Sequence, residues 1–273
     1  MSPRNLERPA RRMRVLFDGQ NLFMSAKKAF GHKEPNFDVA GLARALADRE
    51  GYVLAEAAIY TGMPSAQHDA RWHSYWSRKL SVLASAGVTI FNPPLRYHER
   101  VDQLPDGRVK KTMIAREKGV DVRIALDCVK HALRGDCEAI LLVSRDNDLA
   151  EAAKDARLIA EEYGRKLEVF SAYPSATTCK FVGIRGTRWS PIDEHLYNQH
   201  LDKTDHRRRS EAGPPPPSTR HDLGAVCLVR QATGGTVAAT ADDRTAERAA
   251  LAASFVSSVI LPESSPSAAL GRP

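Results

Sequence analysis

The chain has 273 residues, 42% of them hydrophobic and 27% charged, a composition that supports one large soluble domain or a domain with an appendage. No apolar run approaches the roughly 20 residues that cross a bilayer, and the arginine-rich start lacks the apolar stretch of a secretion signal, so we expect a cytoplasmic protein with no membrane partner. The four cysteines are scattered without zinc or disulfide spacing, while the net charge of +7 favours a polyanionic partner.

The hydrophobic pattern predicts strands and helices that alternate along the chain. In chain order we predict a strand over 14–17, helices over 22–30 and 41–49, a strand over 53–60, a helix over 70–86, a strand over 88–91, two ribbon strands around 105–107, a helix from about 121 to 133, a strand over 139–143, a helix over 149–163 and a strand over 167–170. Trp72, Trp76, Leu80 and Leu83 form an apolar stripe on the 70–86 helix, as expected for a core-facing side. Alternation of this kind predicts an α/β protein with a central parallel sheet and helices on both faces.

The composition changes after about residue 202. A cluster of three arginines at 207–209 leads into a run of four prolines at 214–217 and then an Ala/Ser/Thr-rich tail. We therefore expect a basic N-terminal arm over 1–12, a folded domain over 13–200 and a mostly disordered tail over 201–273, in which 246–259 could form a transient helix.

Acidic residues occur where a parallel strand would end or a helix begin. Asp18 follows the first strand, Asp121 follows Gly119 at a helix start, and Asp146 and Asp148 follow the 139–143 strand. Functional groups of an open α/β sheet collect beyond the carboxyl ends of its strands, so these side chains are expected to meet. Like charges brought together repel unless a cation compensates, and oxygen ligands suit Mg²⁺ or Mn²⁺. The pattern predicts a metal site for phosphoryl chemistry.

Each acidic residue also has a simpler interpretation. Asp18 and Asp121 could be helix caps, Asp146 and Asp148 could belong to an Asx turn, and Asn21 could be only a turn residue. The coincidence of three acidic sites on three separate elements at one sheet edge favours the metal site. Asp127 lies six residues after Asp121, about 120° around the helix, and is expected to face elsewhere.

Basic residues directly precede Asp121, and they suit a substrate whose phosphates run past the metal. These residues are Arg108, Lys110, Lys111, Arg116 and Lys118, with Arg96, Tyr97, His98 and Arg100 upstream. A solvated charged ribbon is the alternative interpretation. Ser144 could orient a carboxylate or a water molecule.

Three motifs resemble those of the NYN domain family of the PIN-like nuclease superfamily, and most closely its bacterial LabA/DUF88 branch. They occur in family order, and they are Phe17-Asp18-Gly19-Gln20-Asn21-Leu22, Lys118-Gly119-Val120-Asp121-Val122-Arg123-Ile124-Ala125-Leu126-Asp127 and Leu142-Val143-Ser144-Arg145-Asp146-Asn147-Asp148-Leu149. The resemblance covers about residues 13 to 170 and could extend to 193, and the tail lies outside it.

The resemblance implies a three-layer α/β/α PIN-like fold and Mg²⁺- or Mn²⁺-dependent cleavage of RNA. By position, Asp18, Asp121 and Asp146 correspond to metal-binding acids, Asn21 to the polar partner after the first strand, and Asp148 to a second acid of the last motif. Asp127 also matches a motif position, but the helical period is expected to turn it away from the metal. It would then support the metal ligands and not bind the metal itself. Arg145 stands where many relatives carry glycine, and its cation could contact phosphate or hinder metal entry.

The leading hypothesis is an endonucleolytic ribonuclease in which metal-activated water attacks an RNA phosphodiester. Asp18, Asp121 and Asp146 would be catalytic and bind the metal with Asp148, while Asn21, Ser144 and Asp127 would assist. The RNA strand would lie along Arg108, Lys110, Lys111, Arg116, Lys118 and Arg145.

Two other functions stay open. One is a non-catalytic RNA-binding or regulatory adaptor with the same fold. The other is a small-molecule phosphohydrolase or a Toprim-like site, although Toprim sites want a glutamate where this chain has Asp18. A homo-oligomer is an open alternative to a monomer.

Overall fold

The computed structural model describes residues 10–103, 107–179 and 181–206. Within them, six parallel strands form one sheet with the order β3-β2-β1-β6-β7-β8. The strands are β1 (Arg12–Asp18), β2 (Val53–Tyr60), β3 (Thr89–Phe91), β6 (Ala139–Val143), β7 (Glu168–Pro174) and β8 (Arg188–Ile192). The strands β4 (Arg96–Gln103) and β5 (Val109–Arg116) form a separate antiparallel pair, here called the ribbon.

Helices cover both faces of the sheet. They are α1 (Gly19–Phe30), α2 (Val39–Arg49), α3 (Ala70–Ser85), α4 (Val120–Arg134), α5 (Ala150–Glu162) and α6 (Glu194–Gln199), and a 3₁₀ turn (Asn147–Leu149) precedes α5. This arrangement confirms the predicted α/β class with a central parallel sheet. None of the helices in the described ranges is both long and apolar enough to span a membrane.

The core has two layers because side chains alternate across the strands. In β1, Val15 and Phe17 pack with α1, α2, α3 and α6, whereas Leu16 packs with α4 and α5 on the other face. All five residues of β6 are buried, as expected for a strand that helices cover on both sides.

The centre of the sheet is also the point where the strand order reverses. From β1 the chain proceeds to β2 and β3 on one side, and it returns to β6, β7 and β8 on the other. β1 and β6 pair in parallel with Phe17 opposite Val143, so the residues that follow both strands emerge at the same edge. Ligands of open α/β sheets bind in the crevice at such a switch point.

Side-chain caps account for several differences between predicted and observed boundaries. Helix α1 starts at Gly19, three residues earlier than predicted, because the Asp18 carboxylate accepts a hydrogen bond from the Asn21 backbone N–H. Helix α2 likewise starts at Val39, where Asp38 is the cap.

Strand β8 and helix α6 were not predicted, since β8 is short, carries Pro191 and has no apolar run.

Residues 201–206, which we expected in the tail, pack on the folded body. Leu201 bridges to Phe37, and the Asp202 carboxylate accepts a hydrogen bond from Nζ of Lys79 at 2.7 Å. Lys79 is fully buried and its Nζ also donates to the carbonyl of Phe37 at 2.9 Å. The packed region therefore extends to 206. The remaining tail, with its expected helix over 246–259, and most of the expected N-terminal arm lie outside the described residues.

Candidate functional site

An open cavity of about 360 Å³ lies at the switch point, beyond the carboxyl ends of β1 and β6. Four carboxylates from four different parts of the fold line it, and we call it the acidic cavity. These are Asp18 at the end of β1, Glu117 after β5, Asp121 in the first turn of α4 and Asp146 after β6. The predicted acids Asp18, Asp121 and Asp146 are thus brought together.

Asp18 is the most buried of these acids, with 8% of its surface exposed. One carboxylate oxygen caps α1 through the Asn21 N–H at 3.0 Å, and the other accepts a hydrogen bond from the Ser144 hydroxyl at 3.1 Å. Burial raises the pKa of Asp18, the two hydrogen bonds oppose that shift, and the charges of Asp146 and Asp121 add to it. Asp18 is therefore a cap and a cavity residue at once, so the two interpretations do not exclude each other.

Ser144 and Asn21 connect the loops that follow β1 and β6. The Ser144 hydroxyl accepts a hydrogen bond from the Asp146 backbone N–H at 3.1 Å while it donates to Asp18. The Asn21 side-chain oxygen accepts from the Arg145 N–H at 3.1 Å. Asp146 in turn accepts from the Asp148 N–H at 3.0 Å. These bonds hold Asp18 and Asp146 on the same side of the cavity.

Asp121 is the second residue of α4. Gly119 is the N-cap of that helix, with φ of +82°, a conformation that a residue with a side chain rarely adopts. No side chain caps this helix end, and Gly119 and Val120 also line the acidic cavity. The exposed N–H groups of the first turn give this wall of the cavity a partial positive charge.

Glu117 is a cavity residue that the sequence analysis missed. Its carboxylate accepts a hydrogen bond from the Gly62 N–H. Burial raises the pKa of Glu117 to about 7, and the charges of Asp18 and Asp121 contribute to the shift against the opposing hydrogen bond. The available signal was its position at the end of a strand, two residues before Gly119, but the surrounding arginines and lysines gave the segment a basic character.

The acidic cavity concentrates negative charge without a basic side chain in its lining. The lining residues other than the acids are Gln20, Asn21, Met24, Gly119 and Val120. Four carboxylates with oxygen donors and no counter-cation fit a hard divalent cation in chemical type. Among the described ranges, however, no three His, Cys, Asp or Glu side chains are arranged closely enough to form a ready-made coordination sphere. The oxygen donors are of the type that binds a divalent metal, but the carboxylates are not grouped closely around one position.

Two other predicted acids lie outside the acidic cavity. Asp148 is exposed on the 3₁₀ turn and does not line it. Asp127 faces the sheet, where it accepts hydrogen bonds from the Tyr60 hydroxyl and from Nε of Arg123, both at 2.9 Å. These bonds lower the pKa of Asp127 although burial acts to raise it. Asp127 therefore ties α4 to the end of β2, in the direction expected from the helical period.

Arg145 turns away from the acidic cavity. Its guanidinium carbon lies 3.8 Å from the centre of the Phe181 ring, a cation–π contact, and its side chain does not line the cavity. The arginine at this position thus contributes its backbone N–H to the site through Asn21.

The predicted basic run is divided between the two faces of the ribbon. Tyr97 faces the body, where its hydroxyl accepts from the Ser65 N–H at 2.9 Å and its ring lies 4.2 Å from that of His68. Paired residues of antiparallel strands share a face, so the alternation sets Arg116, opposite Arg96, on the face opposite to that of Tyr97. Lys110 shares the face of Arg96 and Arg116.

The other predicted basic residues behave differently. Lys111 lies on the same face as Tyr97 and pairs with Glu99 at 3.0 Å. Arg108 and Lys118 are exposed, in the loop before β5 and in the link to α4 respectively. The basic residues therefore do not form one continuous surface beside the acidic cavity.

The NYN domain family matches residues 12–183, more than half of the chain, and the protein belongs to this family. NYN domains are part of the PIN-like nuclease superfamily, whose members generally use divalent metals, so the family supports a nuclease-like function. No curated protein matches the sequence significantly.

A crystal structure of a Vibrio parahaemolyticus protein of unknown function is similar to the chain. It is 20% identical in sequence, with a TM-score of 0.39, and the similarity covers 68% of this chain and 94% of that one.

Proposed function

We propose that this protein is a ribonuclease that hydrolyses internal RNA phosphodiesters with Mg²⁺ or Mn²⁺ at the acidic cavity. The observation that carries the proposal is the meeting of Asp18, Glu117, Asp121 and Asp146 at the switch point of the sheet, with no basic side chain in the lining. The motifs also support the LabA/DUF88 branch as the family subgroup.

The four cavity acids would hold the metal, which when bound polarises a phosphate oxygen and lowers the pKa of a bound water molecule. Asp18 suits this role because its two hydrogen bonds fix the orientation of its carboxylate. Ser144 and Asn21 would keep the β1 and β6 loops together so that Asp18 and Asp146 both stay in the cavity lining. Gly119, with its positive φ, would let the chain turn from the ribbon into α4 beside the site.

The substrate strand would meet a strongly negative site, so its phosphates need positive charge nearby. The N–H groups at the start of α4, which no side chain caps, and the exposed Lys118, three residues before Asp121, would supply that charge. The face of the ribbon that carries Arg96, Lys110 and Arg116 would contact more distant phosphates of the same RNA strand.

The test is cleavage of end-labelled RNA by the purified full chain. Single-stranded and structured RNA, and a DNA of the same sequence, are each incubated with Mn²⁺, Mg²⁺ or EDTA. We expect metal-dependent cuts in RNA, a loss of about 100-fold or more in Asp18→Asn and Asp146→Asn, and a change below about threefold in the matched control Asp155→Asn, an exposed aspartate of α5 that does not line the cavity. Cleavage by Asp18→Asn and Asp146→Asn at the wild-type rate would falsify the assignment.

One observation favours a second candidate, a non-catalytic RNA-binding adaptor. In the described part of the chain the acids are not arranged as a finished metal site. RNA binding that persists in EDTA, with no cleavage after long incubation in Mn²⁺, would support the adaptor. Hydrolysis of a nucleoside monophosphate without RNA cleavage would instead support a small-molecule phosphohydrolase.

A further inference from the structure

A second cavity of about 190 Å³ adjoins the acidic cavity, and we call it the aromatic cavity. Phe23 of α1 and Trp72 and Trp76 of α3 contribute the rings that line it. Gln20 and Glu117 line both cavities. The two cavities are therefore neighbours that share two lining residues.

The rings of the aromatic cavity are held in place by neighbouring side chains. Trp72 and Trp76 are one turn apart on α3 and so lie on the same side of the helix. Tyr75 packs edge-on against both, with ring centres 5.2 Å from Trp72 and 5.8 Å from Trp76. Trp76 is buried, whereas Trp72 is only partly buried. The apolar stripe expected to face the core thus opens at its N-terminal end into a cavity.

A glycine holds Glu117 at the aromatic cavity. A Cβ added at Gly62 would run into the side chains of Leu95 and Glu117. Because Gly62 has none, its backbone N–H reaches the Glu117 carboxylate beside Leu95. Thr61, Gln20 and Glu117 add polar atoms to a lining that is mostly apolar.

We propose that the aromatic cavity binds a nucleobase of the RNA strand, next to the phosphate that lies in the acidic cavity. This inference rests on the proposed function. The cavity is smaller than the roughly 300 Å³ at which pockets for larger organic ligands begin, so a single planar ring system is the appropriate size. Every nucleobase has a face that stacks on aromatic side chains, which suits a site formed by Phe23 and Trp72.

Charge also favours a base over other occupants. Glu117 stands at the junction, and the acidic cavity beyond it repels an anionic group that lacks a cation. A neutral base attached to a phosphate can occupy the apolar side while its phosphate occupies the side where a cation would sit. The edge of the base would meet Thr61, Gln20 and Glu117.

The experiment is an abasic scan of a short single-stranded RNA. Binding is measured by fluorescence anisotropy with the Asp146→Asn variant and Mg²⁺, so that the RNA stays intact. The probes are the unmodified RNA and a series in which one base at a time is removed. We expect one position at which loss of the base weakens binding between about fivefold and a hundredfold. In wild-type protein, loss of that base should also reduce cleavage at the adjacent phosphate.

In the Trp72→Leu, Asp146→Asn double variant, the RNA that lacks this base should bind as tightly as the unmodified RNA. An apolar side chain remains at position 72, but the ring on which the base would stack is lost. Trp189→Leu is the matched control, because Trp189 is a half-exposed tryptophan on β8 that lines neither cavity. In the Trp189→Leu variant the RNA that lacks this base should still bind more weakly than the unmodified RNA, by the same factor as without the substitution. If circular dichroism shows that Trp72→Leu is unfolded, Phe23→Leu tests the same point from α1.

Equal affinity for every abasic RNA would overturn the proposal, and so would a penalty that Trp72→Leu and Phe23→Leu leave unchanged, or no binding of any probe. The inference and the proposed function fail in different ways. If RNA is cleaved but no single base affects binding, only the proposal that the aromatic cavity binds a base is refuted. If binding depends on a base but no metal-dependent cleavage occurs, only the proposed nuclease activity is refuted.

Discussion

The two ends of the parallel sheet treat their carboxylates in opposite ways. At the amino end of β1, Arg14 forms a two-pronged hydrogen bond with Asp136 at 3.0 and 2.9 Å and an ion pair with Glu56. At the carboxyl end, four acids share one cavity with no basic lining residue. Both ends belong to the same strands, so the sheet itself does not require either arrangement.

Glu168 and Glu117 make the contrast measurable. Glu168, at the amino end, accepts hydrogen bonds from Arg11 and Arg188, and although burial acts to raise its pKa these bonds lower it to about 2. Glu117, at the carboxyl end, has its pKa raised to about 7 by burial and neighbouring charge. At the amino end the carboxylates are paired with arginines. At the carboxyl end the carboxylates repel one another, and a bound cation would reduce that repulsion. A site that must capture a cation is expected to have this property.

The largest expected effect is on catalysis. Glu117→Gln keeps a hydrogen-bond acceptor for Gly62 but removes a cavity charge, and we expect it to lower RNA cleavage by about 100-fold. Glu138→Gln removes a carboxylate at the amino end, where Glu138 pairs with Arg12, and should change the rate by less than about threefold. Rates are measured with Mn²⁺ in excess. An equal loss in both variants would show that the two ends do not differ in function.

The next effect is on stability at the amino end. Arg14→Met removes the guanidinium and leaves Asp136 and Glu56 without their shared partner, so the free energy of unfolding should fall by about 2 kcal/mol. Lys166→Met is the control, because Lys166 is a highly exposed cation that lies 3.9 Å from Glu168. Its effect should stay below about 0.5 kcal/mol. Urea unfolding at pH 7 measures both, and equal losses would contradict the contrast.

At the carboxyl end, loss of a charge should stabilise the metal-free protein. The pKa of Glu117 is raised, so its contribution to stability is fully present below the unfolded pKa near 4.5 and is lost as the pH rises through about 7. Glu117→Gln escapes that loss and, after allowance for solvent screening, should exceed wild type by about 1 kcal/mol at pH 8 in EDTA. Excess Mg²⁺ should reverse the order. Thermal melts in EDTA that show Glu117→Gln less stable than wild type would refute the claim that repulsion among the cavity carboxylates destabilises the metal-free protein.

The smallest effect has the opposite sign and pH dependence. The pKa of Glu168 is lowered, so its contribution is present above the unfolded pKa near 4.5 and is lost as the pH falls through about 2. We expect Glu168→Gln to reduce stability by about 0.5 kcal/mol at pH 7, a difference that shrinks towards zero as the pH falls through about 2. Urea midpoints at several pH values test this. A deficit that stays constant down to pH 2 would mean that packing, and not charge, is responsible.

The meeting of Asp18 and Asp146 could be predicted because it follows from strand order. Parallel strands joined by helices put their carboxyl ends at one edge, and the buried character of 139–143 indicated a central strand. The direction of Asp127 followed from the 100° step of a helix in the same way. Periodic elements constrain the positions of their side chains even without a structure.

Glu117 could not be found in that way. It leaves the ribbon, whose path is set by contacts such as Tyr97 with Ser65 and His68 and not by any period in the sequence. Lys110 and Lys111 alternate as neighbours in any strand do, but which of them shares the face of Tyr97 depends on the pairing register with β4. Strand β8 was missed because an edge strand can be stable with few apolar residues when its partner β7 is fully formed.

The anchoring of residues 201–206 has a consequence for how the protein can be shortened. Removing everything after 200 would take away Asp202 and leave the ammonium group of Lys79 shut inside the protein without its counter-ion. An uncompensated buried cation of this kind costs several kcal/mol. A truncated form that ends at 206 should therefore fold, whereas one that ends six residues earlier should be recovered only in aggregates.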